Sequence, residues 1–153
     1  MKFKIFGIVL ILVLISCQPQ QTGEQAPSVE FLTLDESANM PFSEAVRVGN
    51  WLILSGQIGI NPETRTLPPG GIKAETKQTM ENIKRTLEKY GSSLNQVVKC
   101  TVMLADISEW SAMNEVYVTY FPNHKPARSA FGTSGLALGA RLEIECWATV
   151  RYE

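Results

Sequence analysis

The chain has 153 residues, of which 44% are hydrophobic and 19% charged, and its formal net charge at pH 7 is −1. This length suits one domain with one hydrophobic core. Binding to nucleic-acid phosphates relies on clustered Lys and Arg, whereas the 14 basic residues here are spread along the chain among 15 acidic ones. The composition therefore argues against a nucleic-acid partner.

The first 17 residues have the pattern of an export signal. A basic start at Met1–Lys4 precedes an aliphatic run, Ile5–Ile15, which is far shorter than the roughly 20 residues of a membrane-spanning helix. The run ends in Leu14-Ile15-Ser16-Cys17, which resembles a bacterial lipobox, whose cysteine is lipidated and becomes the mature N-terminus. Residues 1–16 are therefore predicted to be a signal peptide. The alternative is a plain secretory signal with an incidental cysteine.

The expected product is a lipoprotein of the cell envelope, facing the periplasm or the outside and held to the membrane only through Cys17. Residues 17–28 are rich in Gln, Pro, Gly and Glu without an apolar period, which predicts a flexible tether. Without Lys2 and Lys4 the chain keeps 12 basic and 15 acidic residues, a charge of −3. The folded domain is expected over residues 29–153.

The first elements predicted in this domain are the two strands of a β-hairpin. β-prone residues at 46–48 and 51–54 are separated by Gly49-Asn50, which tolerates the positive φ of a tight turn. Ser55-Gly56 ends the second strand, and the Asn, Pro and Gly residues over 61–71 indicate a loop.

A helix and a strand follow the loop. Apolar residues recur at three- and four-residue steps from Ile72 to Tyr90, which predicts an amphipathic helix that ends at Gly91. Residues 97–104 are mostly apolar and β-prone, and are predicted to form a strand.

A second helix is predicted after this strand. Asp106, with Glu109 three residues later, is typical of a capping box that opens a helix, and Pro122 marks its end. Four large residues are expected to face inward from it: Trp110, Met113, Tyr117 and Phe121.

The last two strands are predicted to begin near Ala127 and Arg141. Strands at both ends of the domain, with only two helices between them, predict an α+β fold in which both helices pack on one face of a mixed sheet. The opposite face would be half apolar, which predicts an oligomer. Cys100 and Cys146 lie in apolar strands; an oxidising envelope permits a bridge between them, but buried free thiols are favoured.

Two charged positions near the C-terminal end are candidates for chemistry. Glu143 and Glu145 share one face of the last strand, so they point either into a cleft or into solvent beside Arg141. Arg128 lies just after a proline, where a loop becomes a strand, and its guanidinium offers two parallel donors to a carboxylate. The alternative for Arg128 is an ordinary surface arginine.

Other polar residues narrow the chemistry. Ser55-Gly56-Gln57 either ends a strand or presents backbone N–H groups to a ligand, because glycine permits close approach. No metal site is predicted, since His124 is the only histidine. A serine hydrolase is disfavoured, because Ser55 lacks the context of a nucleophile elbow. An arginine that clamps a carboxylate and a glutamate that orients water, Arg128 and Glu143, instead fit a site for small 2-imino acids, on elements that one sheet could bring together.

In the order and spacing of its motifs, the chain from residue 41 to 151 resembles the Rid (YjgF-like) family of imine/enamine deaminases. The motifs that carry the resemblance are Phe42-Ser43-Glu44-Ala45-Val46, Gly49-Asn50, Ser55-Gly56-Gln57-Ile58, Asn61-Pro62, Asn82-Ile83, Met113-Asn114-Glu115-Val116-Tyr117, Pro126-Ala127-Arg128-Ser129 and Glu143-Ile144-Glu145. The resemblance implies a chorismate-mutase-like α+β fold, a homotrimer with a central barrel formed by the sheets, and active-site clefts between subunits.

The resemblance also implies a role for individual residues. Arg128 would hold the substrate carboxylate, and Glu143 would orient the water that adds to the imine carbon. Ser55 and the backbone of Gly56 would line the cleft, and Asn114 would support it.

Two positions depart from the family pattern. Phe42 stands where the family has a tyrosine of the cleft, and Ala130 stands where a cysteine usually follows the arginine by two residues. Water attack needs no thiol, so Ala130 is expected to change pocket shape more than chemistry, while Phe42 is expected to alter substrate choice or rate.

The implied reaction is hydrolysis of 2-imino acids of the 2-iminopropanoate and 2-iminobutanoate class to 2-keto acids and ammonia, without a cofactor. The alternative is a non-catalytic module on the same fold that binds small 2-imino or 2-keto carboxylates. RNA cleavage, a role sometimes attached to this family, fits the acidic charge poorly. Export implies a source of imines outside the cytoplasm, such as amino-acid oxidases.

Overall fold

The computed structural model describes residues 26–33 and 40–150. The predicted signal peptide (1–16), the lipidation site Cys17 and most of the predicted tether lie outside the described residues. Within the described part of the chain, no helix combines the length and the apolar character needed to cross a membrane.

Seven strands and two α-helices make up the described domain. In chain order they are β1 (Val29–Leu32), β2 (Ala45–Val48), β3 (Trp51–Leu54), β4 (Gln57–Ile58), α1 (Gly71–Lys89), β5 (Val97–Leu104), α2 (Trp110–Tyr117), β6 (Ala127–Gly132) and β7 (Leu142–Thr149). Single-turn 3₁₀ helices lie in the connections, at Leu94–Gln96, Ile107–Glu109, Val118–Tyr120 and Ala137–Gly139.

The strands form one mixed sheet in the order β1-β2-β3-β7-β5-β6, and β4 continues along β7 where β3 ends. The predicted hairpin is β2 and β3, with Val48 opposite Trp51 and Gly49 at a φ of 53°. All neighbours are antiparallel except β5 and β6. Parallel strands require a crossover, which the segment containing α2 supplies.

Both helices pack on one face of the sheet, so the predicted α+β layer is confirmed. Of the predicted apolar stripe of α1, Met80, Ile83 and Leu87 are fully buried, whereas Tyr90 follows the last residue of the helix and is partly buried. The stripe packs with alternate residues of the strands, such as Val102 on β5 and Ile144 on β7, in one continuous core. This alternation fixes which side chains of β7 are left for the other face.

The start of the second helix differs from the prediction. The Asp106 carboxylate accepts a hydrogen bond from the N–H of Ser108 (2.9 Å) and caps the 3₁₀ turn Ile107–Glu109, so α2 begins only after that turn. Glu109 does not complete a capping box, because its carboxylate instead accepts a hydrogen bond of 2.6 Å from Arg141. The Asp106 half of the predicted capping box is therefore present, and a long-range ion pair takes the place of the Glu109 half.

Of the four residues expected to face inward, three are buried and one is not. Met113, Tyr117 and Phe121 lie in the core, but Trp110 is 42% exposed because it occupies the first residue of α2, beyond the buried centre of that face. Phe121 follows the helix rather than lying on it, after the 3₁₀ turn Val118–Tyr120.

The face of the sheet opposite the helices carries large apolar side chains. The strand registers place Trp51, Phe131 and Trp147 on this face together with Glu143 and Glu145. Between 43% and 47% of each of the three aromatic side chains is exposed. The face is thus half apolar, as expected, and the oligomer inferred from it stays a prediction.

Glu44, immediately before β2, ties that strand to the end of α1. Its carboxylate is almost fully buried and accepts hydrogen bonds from Lys89 Nζ (2.7 Å), the Tyr90 hydroxyl (2.6 Å) and Thr86 Oγ1 (3.3 Å). Burial alone would raise the pKa of Glu44, but the hydrogen bonds from Lys89 and Tyr90 outweigh it, so the pKa lies below its ordinary value of 4.5.

We expect Glu44→Gln to destabilise the protein at neutral pH by about 1–2 kcal/mol, because it removes charge-assisted hydrogen bonds. The folded-state pKa is depressed, so the ionised carboxylate stabilises the fold above pH 4.5 and this contribution is lost as the pH falls through the folded-state pKa. Urea unfolding from about pH 7 to pH 3 should therefore show the two proteins converging in acid.

The exposed pair of Glu115 with Lys73 provides the matched control. Glu115→Gln should change the free energy of unfolding by less than about 0.5 kcal/mol at any of these pH values. A difference between wild type and Glu44→Gln that stayed constant from neutral pH into acid would contradict the assigned role of the Glu44 charge.

Candidate functional site

Gly56 and Glu143 lie against each other where β4 pairs with β7. Ile58 is opposite Glu143, and Gln57 is opposite Ile144. A Cβ atom placed on Gly56 would lie 1.8 Å from Oε1 of Glu143. Only glycine therefore allows the carboxylate to occupy this position beside the backbone.

Ser55 directs its hydroxyl toward the backbone. Its Oγ donates a hydrogen bond to the carbonyl of Ser43 (2.7 Å), and its N–H donates to the carbonyl of Glu44 (3.0 Å). These two bonds hold the segment that follows Phe42 against the end of β3. In this arrangement Ser55 fixes the wall of the site.

Phe42 and Gly56 line a cavity of about 410 Å³ between the strand end and α1. Phe42 is 52% exposed. Asn82 of α1 also lines the cavity, and its buried amide donates hydrogen bonds to the carbonyls of Ile58 (3.0 Å) and Ile60 (2.8 Å). The backbone of β4 is thus held by a side chain from the helix.

A second group of site residues surrounds Arg128 on β6. Its Nη1 donates a hydrogen bond of 2.7 Å to Oδ1 of Asn114, and its Cζ lies 4.7 Å from the centre of the Tyr117 ring and 5.6 Å from that of Trp110. Arg128, Asn114 and Tyr117 line a cavity of about 340 Å³ together with Pro126. Among the residues that the structure describes, no carboxylate forms an ion pair with this guanidinium.

The contact of Arg128 with aromatic rings is not predicted above, because the sequence pattern assigns Trp110 and Tyr117 only to the core. The signal that identifies it is their spacing. Trp110, Asn114 and Tyr117 recur at i, i+4 and i+7 and therefore share one face of α2. Asn114 lies between the two rings on this face, so a side chain such as Arg128 that contacts Asn114 also contacts both rings.

Burial is the main reason that the pKa of Tyr117 is raised above its ordinary value, and the neighbouring Cys100 adds to the effect. The phenol therefore remains neutral beside Arg128 throughout the physiological range. Its ring presents a negative π-face to the guanidinium without a competing phenolate charge.

Arg128 and Glu143 lie on opposite faces of the sheet within one chain. Arg128 is in register with Cys100, which is in register with Cys146, and residues paired in this way share the face that the helices cover. Glu143 is in register with Met103 on the other face. The expectation that one sheet brings the two together is therefore not met within a single chain, because the two positions differ in strand parity.

The remaining predicted residues divide between these two groups. Ala130 is two residues after Arg128, faces the helices with it and packs against the core. Arg141 does not pair with Glu143; its side chain contacts Glu75 (3.9 Å) as well as Glu109. The first group thus contains Phe42, Ser55, Gly56 and Glu143, and the second contains Asn114, Arg128 and Ala130.

Over residues 26–33 and 40–150, no cluster of three or more His, Cys, Asp or Glu side chains is placed to hold a metal ion. His124 lies in the loop before β6, with its ring edge-on to Phe121 at a centroid distance of 5.8 Å. Its environment is that of a packed loop residue.

Comparison with known proteins places the chain among relatives of the same architecture. Residues 33–150 match the family described as Endoribonuclease L-PSP. A RutC family protein of Pyrococcus abyssi is 48% identical over 108 residues, covering 71% of this chain and 85% of the relative. The 2-iminobutanoate/2-iminopropanoate deaminase of Mus musculus is 43% identical over 108 residues, covering 71% of this chain and 80% of that enzyme.

Solved structures agree with these sequence matches. The crystal structure of RidA from the Antarctic bacterium Psychrobacter sp. superposes with a TM-score of 0.70 at 39% identity, covering 82% of this chain and 99% of that one. The α+β fold is therefore shared with a solved relative. The chain belongs to the endoribonuclease L-PSP family, the Rid (YjgF-like) family that its motifs predict.

Proposed function

We propose that this protein hydrolyses small 2-imino acids, of the 2-iminopropanoate and 2-iminobutanoate class, to 2-keto acids and ammonia. The observation that carries the proposal is the Arg128 guanidinium, which Asn114 and Tyr117 hold at a cavity without a carboxylate partner among the described residues. A guanidinium fixed in this way is suited to a ligand carboxylate. The name of the mouse relative, which is 43% identical, supports the same reaction class.

In this proposal each active site lies between two copies of the chain. Arg128 and Glu143 project from opposite faces of one sheet, so a water held by Glu143 cannot reach a substrate held by Arg128 of the same chain. A second copy that brings its own Glu143 beside this Arg128 completes the site. The exposed aromatic residues of the open face, such as Trp147, provide apolar surface for the homotrimer that the proposal requires.

The proposed mechanism uses no cofactor, because a protonated imine is already electrophilic. Glu143 accepts a proton from water as the water oxygen bonds to the imine carbon, giving a 2-amino-2-hydroxy acid. Glu143 then returns this proton to the amino nitrogen, and the carbon–nitrogen bond breaks. Ammonia leaves, and the hydroxyl passes its proton to Glu143 as the keto carbonyl forms; Glu143 then releases this proton to solvent. Arg128 holds the carboxylate throughout and fixes the orientation of the carbon under attack.

Arg128→Ala should lower kcat/KM by about 10- to 150-fold, the loss expected for charge-assisted hydrogen bonds to a substrate. The kcat/KM of Arg128→Lys should lie between that of wild type and that of Arg128→Ala, because a lysine keeps the charge without the planar pair of donors. The assay generates 2-iminobutanoate from an amino-acid oxidase and follows its disappearance with residues 28–153, which contain every described element.

Two further variants are measured in the same assay, one as a control and one to test the proposed base. Lys84 is an exposed cation on the outer face of α1, so Lys84→Ala should have the kcat/KM of wild type. Glu143→Gln should lower kcat by about 10²–10⁴-fold, because it removes the proposed general base. Wild-type turnover by Arg128→Ala would refute the clamp. A folded oligomer that accelerates nothing, yet binds 2-ketobutyrate through Arg128, would make the non-catalytic module the function.

A site shared between copies predicts complementation. Arg128→Ala and Glu143→Gln chains, each of strongly reduced activity alone, are unfolded together and refolded as a mixture. An interface receives an intact Arg128 from one chain and an intact Glu143 from its neighbour in about one quarter of cases, so about a quarter of wild-type activity should return. Activity that stays at the level of the separate variants would place both residues of each site in one chain.

We also propose that the protein acts in the cell envelope, where a lipid on Cys17 holds it to the membrane. The support for this location is the sequence pattern of residues 1–17 alone. Cells that express the full chain should incorporate a labelled fatty acid into it, and Cys17→Ser should abolish the label. Equal labelling of both proteins would rule out lipidation at Cys17.

A further inference from the structure

Cys100 and Cys146 face each other across the centre of the sheet. They are directly opposite in the antiparallel pair β5–β7, both side chains are fully buried, and their sulfur atoms are 2.9 Å apart. The structure contains both as free thiols. Residues opposite each other in an antiparallel pair have Cα atoms about 4.5–5.5 Å apart, within the range of about 4.4–6.8 Å that a disulfide spans.

We propose that Cys100 and Cys146 are an oxidation site, and that they form an intramolecular disulfide between β5 and β7 when the chain folds in the presence of a disulfide oxidant. The oxidant is a small-molecule disulfide or a thiol–disulfide oxidoreductase. This inference goes beyond the proposed deaminase function and does not depend on it.

The proximity of the two sulfur atoms is the strongest support. Non-bonded side-chain atoms usually pack about 3.5–4.0 Å apart, so a separation of 2.9 Å leaves little movement before a bond forms. No backbone shift is required, because the strand pairing already aligns the two residues. Replacing two thiols by a disulfide at this position also keeps the core apolar.

The chemistry proceeds by two exchanges. The thiolate of one of the two cysteines attacks one sulfur of the oxidant and expels the other as a thiolate, which leaves a mixed disulfide. The second cysteine, after losing its proton, attacks the sulfur of the first and expels the second oxidant thiolate. The protein thus gives up two electrons, the oxidant is reduced to two thiols, and the protons of the two cysteines pass to those thiols.

The two thiols are not equivalent as nucleophiles. The hydrogen bond with Cys146 lowers the pKa of Cys100, although burial opposes this, whereas the same hydrogen bond and burial raise the pKa of Cys146 well above its ordinary value. Where the two strands are already paired, Cys100 is therefore the thiol with more thiolate character. Because both side chains are buried in the folded chain, the first exchange with the oxidant takes place before the core closes, and either cysteine can make it.

The bridge would close the chain segment from residue 101 to 145, which contains α2 and β6. These elements carry Asn114 and Arg128, and Arg128 is in register with Cys100 on the same face. A covalent link beneath this group would restrict opening of the β5–β7 pair on which the Arg128 cluster rests.

The test uses the full chain, unfolded with reductant and refolded in a mixture of reduced and oxidised glutathione. After alkylation in denaturant, trypsin without reduction should release peptides 100–128 and 142–151 as one linked species, two hydrogen atoms lighter than their sum. Chain purified without unfolding and equilibrated in the same buffer gives a second measurement.

Cys100→Ala and Cys146→Ala are the matched controls. Oxidised wild type should lose on the order of 10 °C in Tm when a reductant is added, and neither variant should respond. Complete alkylation of both cysteines in refolded and in natively purified wild type would overturn the proposal. So would a linkage of either cysteine to Cys17, which falls in tryptic peptide 5–47.

Discussion

Strand β7 lies at the centre of the sheet, paired with β3, β4 and β5, and the alternation of its side chains decides where the candidate site residues can act. Successive residues of a strand point to opposite faces, so Ile144 and Cys146 fill the core while Glu143 lies on the other face beside Gly56. A slip of one residue would bury the Glu143 carboxylate and expose Ile144, at a large cost in free energy. The pairing that stabilises the core therefore also positions the carboxylate.

The surroundings of Arg128 leave its charge available. A neighbouring carboxylate would hold the guanidinium equally well but would compete with the ligand, whereas the amide oxygen of Asn114 and the faces of two aromatic rings are neutral partners. Fixing the side chain before binding avoids an ordering cost of about 0.5–1.5 kcal/mol when the ligand arrives. In the proposed site, Phe42 and Ala130 set the shape and polarity of the walls, while Arg128 and Glu143 supply the groups that the proposed reaction requires.

The sequence predicts elements whose signal is local and misses arrangements that depend on distant partners. The hairpin around Gly49-Asn50 and the helix α1 follow from turn chemistry and apolar spacing, and both are confirmed. The residues of β1 are mostly exposed, and β4 has only two residues, so neither strand shows an apolar period in the sequence that would predict it. The capping box fails because Glu109 has a better partner, Arg141, that is remote in sequence. The residue types of the candidate site can be predicted from the sequence. The opposite orientations of Arg128 and Glu143 cannot, because they depend on strand register.

The acidic net charge of the chain and the neutral surroundings of Arg128 favour a small anionic ligand over RNA. Arg47, Lys73, Lys89 and Arg141 each lie within 4.0 Å of a carboxylate, so their charges are largely balanced by the protein itself. An RNA strand needs a row of available cations along its phosphates, whereas a small 2-imino acid needs one guanidinium for one carboxylate. Arg128, with only neutral partners among the described residues, meets the second requirement. Because Glu143 lies on the opposite face of the sheet from Arg128, the proposed reaction requires two copies of the chain to complete one site.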